Sequence, residues 1–151
     1  KQDMHGKNPA HCASLFALKE IHECLKDSPK IIASMHLTGN LKGKLPAHRE
    51  DLEILKEIDS ALAPQHDVLR KVHLTKNRKG MYPIHYQKTD GIKEILSHFE
   101  DEPEVITELL SDSQNFDIYI YPEMCKIIDE YAKKYNPEQG NIIKCLRERY
   151  E

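Results

Sequence analysis

No uninterrupted apolar run in this 151-residue chain is more than a few residues long, far short of the roughly 20 that a membrane-spanning helix needs. The opening stretch, KQDMHGKNPA, lacks the apolar core of a secretory leader. It begins with Lys, not Met, which leaves room for flanking domains. No long polar tract occurs, and apolar residues (39%) recur throughout, which excludes a disordered chain. The four cysteines, Cys12, Cys24, Cys125 and Cys145, form no CxxC. Such sparse thiols fit a reduced, intracellular and cytoplasmic setting better than a disulfide framework. GxSxG, HExxH, Walker and Rossmann patterns are all missing, which removes any warrant for naming a reaction, a cofactor or a bound metal.

The chain also lacks a strong basic field. Its formal charge of −3 divides into 16 Lys+Arg against 12 Asp+Glu over residues 1–99 and 6 against 13 over 100–151. That balance argues against nucleic acid as the main partner.

What the chain does have is repetition. HLTGNLKGKLPAH (36–48) and HLTKNRKGMYPIH (73–85) agree at eight of thirteen positions, where roughly one would match by chance. A shift of 37 residues adds a third segment at the start. Gly6, Gly43 and Gly80 align, as do Pro9, Pro46 and Pro83, then His11, His48 and His85. Farther on, Leu18/Leu55/Ile92, Ile21/Ile58/Ile95 and Leu25/Leu62/Phe99 align at helical spacing. Each unit therefore predicts a glycine turn, a short Pro-led helix, a second helix around KEI, and a Pro- or His-led third stretch. The expected units span about 3–39, 40–76 and 77–111. No unit of this size can bury its own apolar stripe, so each must stack on its neighbour.

Gly-x-x-Pro-x-His opening a helix pair resembles the ankyrin repeat, over about residues 3–111. The resemblance implies an all-α fold, an ankyrin-like helical repeat solenoid with longer, degenerate units. Asn8 can cap its short helix, whereas Leu45 and Tyr82 at the same place cannot. Residues 112–151 leave the pattern and predict a C-terminal helical capping pair. Pro122 opens one helix with Met124, Ile127, Ile128 and Tyr131 on a face, and NPEQ opens the next with Ile142, Ile143 and Leu146 inward. FDIYIY between them reads as an extended connector or a strand-like finger.

Carried onto this sequence, the resemblance implies a partner-binding concave face. Its turn tips would be Met4, His5 and Lys7; Leu41, Lys42 and Lys44; and Arg78, Lys79 and Met81. Its inner-helix positions would be Leu15 and Phe16, Leu52 and Glu53, and Thr89 and Asp90. The basic tips point to another protein with an acidic surface or segment. His11, His48 and His85 are expected to bond backbone in the turns and tie one unit to the next. His36 and His73 receive the same structural reading. The clusters His11–Cys12 and His22–Cys24 offer the only Cys/His alternative, the regulatory or catalytic fragment of a larger enzyme. Cys24 is expected on the apolar side of its helix as a small buried hydrophobe. The function expected is non-catalytic protein recognition.

Overall fold

The computed structural model describes residues 2–151, and every regular element among them is helical. No helix there is long and apolar enough to cross a membrane. The chain divides into two compact units, up to Gln87 and from Lys88 onward. The 37-residue period places its own boundary later, after residue 111.

The first unit contains α1 (Pro9–Cys12), α2 (Leu15–Cys24), α3 (Pro29–Leu37), α4 (Leu52–Leu62) and α5 (His66–His73). Short 3-10 turns run over Pro46–His48 and Pro83–Tyr86. Caps set the helix starts. Ser14 Oγ accepts from the Ala17 N–H at 3.2 Å to open α2, and Asp51 Oδ1 accepts from Glu53 and Ile54 to open α4. The difference between Asn8 and its counterparts is visible in the backbone. Asn8 Oδ1 accepts from the Ala10 N–H (3.0 Å), and the Pro-led turn closes as α-helix. Leu45 and Tyr82 have no such acceptor, and their turns tighten to 3-10 form.

α2 packs on α4, and α3 packs on α4 and α5. Leu18, Ile32, Ile54, Leu55, Ile58, Leu62, Leu69 and Val72 are buried between them. Each such side chain contributes about 1.5–3 kcal/mol on leaving water.

The second unit holds α6 (Thr89–Ser97), α7 (Pro103–Leu110), α8 (Tyr121–Ala132) and α9 (Pro137–Cys145), then a 3-10 turn over Leu146–Tyr150. α8 buries Met124, Ile127, Ile128 and Tyr131, the face its spacing predicts. Asn136 Oδ1 accepts from the Gln139 N–H at 2.9 Å and starts α9 as NPEQ suggests. Ile142 corrects the expectation for that helix: it is 54% exposed, while Ile143 and Leu146 are buried. The inward stripe is Gly140, Ile143 and Leu146, and a position one residue off it turns about 100° toward solvent. A Cβ at Gly140 would lie 2.5 Å from the Ala132 carbonyl oxygen, so glycine is what lets α9 approach α8.

FDIYIY is not a strand. Phe116 is extended and buried, after which Ile118–Ile120 form a 3-10 turn leading into α8. Cys24 also departs from expectation, because it is exposed. Six residues along from Leu18, which marks the buried side of α2, it is turned about 120° away around the helix axis.

Candidate functional site: the glycine tips

Each glycine tip is built from the same bonds, 37 residues apart. The Gly6, Gly43 and Gly80 φ angles are 73°, 69° and 76°, in the left-handed region that glycine enters at little cost. Asp3 Oδ1 accepts from the N–H groups of His5 and Lys7 at 2.8 and 2.9 Å. Asn40 Oδ1 does the same for Lys42 and Lys44, and Asn77 Oδ1 for Lys79 and Met81. Within each tip the first residue's N–H bonds the carbonyl four residues on: Asp3 to Lys7, Asn40 to Lys44, Asn77 to Met81.

The tips are joined into a ladder. The Leu41 N–H donates to the His5 carbonyl, and the Arg78 N–H to the Lys42 carbonyl, both at 3.0 Å. The signature histidines brace it from below. His11 Nδ1 accepts from the Asn8 N–H (3.0 Å), His48 Nδ1 from Leu45 (2.9 Å) and His85 Nδ1 from Tyr82 (2.9 Å). That leaves the proton on Nε2, and Nε2–H donates to the next tip: His11 to the Lys44 carbonyl (2.8 Å), His48 to the Met81 carbonyl (3.0 Å). Burial chiefly, and then the nearby Lys44 charge, push His48 down to about 4 against the two hydrogen bonds, so its ring is neutral at pH 7.

At the foot of the ladder lies an open groove of about 390 Å³, with His11 and His48 in its wall. Lys7, Lys44 and Arg49 bring positive charge to it, against Glu50 alone. Lys44 Nζ stands 4.5 Å from the centre of the Tyr86 ring, and His48 meets the same ring edge-on at 5.8 Å. Arg49 Nη1 donates to the carbonyls of Ala10 (3.2 Å) and Ala13 (2.7 Å), which satisfies the end of α1.

Of the residues chosen from sequence, Met4, His5, Leu41, Lys42, Arg78 and Lys79 are exposed along the tips, and Lys7, Lys44 and Met81 are half-buried beside them. On the first unit's helices Phe16 is 76% exposed and Glu53 is exposed, while Leu15 and Leu52 are half-buried. Thr89 (half-buried) and Asp90 (exposed) open α6 in the second unit. Sequence reasoning missed Arg49 and Tyr86. Both fall at one place in the period, with Cys12 as their counterpart, and no shared residue type marks that place. It also missed Asp3, Asn40 and Asn77, whose alignment at 37-residue spacing was a usable signal.

A second polar arrangement lies beneath the helices. His22 Nδ1–H donates to Glu57 Oε1 (2.9 Å), so its Nε2 accepts from His36 Nε2–H at 2.8 Å. Burial first, then the fields of His22 and His11, push His36 down to about 3. One period later stands Asp59 with His73, at 2.7 Å and fully buried. One period later again the same two positions are Leu96 and Leu110, both fully buried in the second unit.

Neither Cys12 nor Cys24 is hydrogen-bonded to a histidine, and among the described residues no three His, Cys, Asp or Glu side chains gather as metal ligands. No protein-family model matches this chain, nor does any curated protein or any solved structure.

Proposed function

We propose that this chain is a non-catalytic protein-recognition module, a degenerate ankyrin-like array that takes its partner along the glycine tips and the groove at their foot. The observation that carries the reading is the ladder. Three tips fixed by recurring bonds hold the backbone of Lys42, Lys44, Arg78 and Lys79 in a rigid row of basic positions, with Lys7 and Arg49 below. Rigid presentation lowers the entropy a partner must overcome on binding. Met4 and Leu41, at 85% and 57% exposure, supply apolar anchors on the tips themselves, and Phe16, at 76%, offers a third on α2. The partner this suits is an intracellular protein with an acidic segment carrying one or two apolar side chains.

The test is binding of an acidic, glutamate-rich peptide and comparative capture from lysate, with wild type and the pair Lys42→Glu, Lys79→Glu. The pair should weaken binding about tenfold at low salt, about 1.4 kcal/mol, and less as salt rises. Affinity unchanged at every salt concentration would remove the tips from the interface.

A further inference from the structure

The face of α2 and α3 turned away from α4 and α5 carries a groove of about 680 Å³, bordered by Pro9, Ile21, Leu25, Ile31 and Met35. Shifted by 37 residues, these positions are Pro46, Ile58, Leu62, Val68 and Val72. Pro46, Ile58, Leu62 and Val72 are buried and Val68 half-buried in the region where α2 and α3 pack on α4 and α5. In the first segment Ile21, Leu25 and Met35 are only half-buried, Pro9 is exposed and Ile31 is 54% exposed. At every one of these five positions the first segment is less covered than the segment one period later.

Polar groups tell the same story independently. The Met4 N–H occupies the place of the Leu41 and Arg78 N–H groups, each of which bonds the preceding tip; Met4 bonds none of the described residues. The Lys7 carbonyl stands where the Lys44 and Met81 carbonyls each receive an imidazole N–H from the preceding segment. Glu20, exposed on α2, stands where Glu57 receives His22.

We propose that this face is a docking seat for a partner that presents one further helix pair of the same build, with its own glycine tip. The partner's apolar helix face fills the groove over Ile21, Leu25, Ile31 and Met35. Its tip carbonyl accepts from the Met4 N–H, an imidazole at the foot of its tip donates to the Lys7 carbonyl, and a donor on its first helix meets Glu20. The arrangement repeats the packing of α2 and α3 on α4 and α5, and it does not depend on what the tips bind.

The experiment extends the full chain in register, with a duplicate of residues 3–39 placed directly ahead of Asp3. A second extension uses residues 40–76, in case the first fails to fold. Amide hydrogen exchange at the original Met4 should slow about tenfold or more, and the urea midpoint should rise. Ile31→Glu at the original position should abolish both gains while leaving the midpoint of the unextended chain in place. No protection of Met4 in either extension, or protection that survives Ile31→Glu, overturns the proposal. So does concentration-dependent self-association of the unextended chain that Ile31→Glu abolishes, because the seat would then belong to a second copy.

Discussion

Gly43 and Gly80 have nearly the same φ and very different surroundings. A Cβ at Gly43 would sit 3.2 Å from the Arg78 backbone nitrogen, in the middle of the ladder, whereas one at Gly80 meets no atom within 4 Å. Both substitutions to alanine carry the left-handed penalty, about 1–2 kcal/mol. Gly43→Ala adds displacement of the rung between Arg78 and Lys42, so it should be the more destabilising of the two by urea unfolding. Equal losses would mean the ladder gives way freely. Glycine at these three places is readable from sequence alone, since its recurrence beside Pro and His marks a turn. The aspartate and asparagine acceptors are less readable, because only the shared side-chain oxygen unites Asp3 with Asn40 and Asn77.

Helix packing explains why two histidines, an aspartate and a third histidine can be buried at matching places. At each place a residue of the second helix faces one fourteen positions later on the third: His22 with His36, Asp59 with His73. Leu96 and Leu110 at the corresponding places indicate that an apolar pair also suits the second and third helices of a unit. His36→Leu alone should destabilise by about 1–3 kcal/mol, because His22 Nε2 is left buried without its donor. His22→Leu together with His36→Leu should recover most of that loss, with Glu57, 19% exposed, turning to water. A double variant no more stable than the single, measured by denaturant unfolding, would show that the polar pair holds the helices in a way that leucines cannot. Element starts were largely legible because their signals are local: Pro29, His66 and Pro103 begin α3, α5 and α7, and Pro137 begins α9. Exposure was less so. Cys24 and Ile142 lie off the buried stripes of α2 and α9, and the stripe is fixed by which neighbour the helix meets, not by its own apolar residues.

For the whole molecule, the buried histidines set a direction for pH. His36 and His48 have folded values of about 3 and about 4, below the ordinary 6.5, so the unfolded chain binds more protons in between. Their contribution to stability is complete above about pH 6.5 and drains away as pH falls toward 4 and then 3. The urea midpoint of the chain should therefore decline from pH 7.5 to 4.5, with a shallower decline in the double leucine variant. A flat profile would mean these rings are reached by water in the folded state. The helical class, the 37-residue period, the glycine turns and the histidines beneath them are legible in the chain alone, because each depends on residues close in sequence. That the tips bond to one another, that Arg49 and Tyr86 line the groove, and that His22 meets Glu57 and His36 emerges only from packing. Those pairings join residues 14 to 37 or more positions apart, and their geometry exists only once the helices have packed.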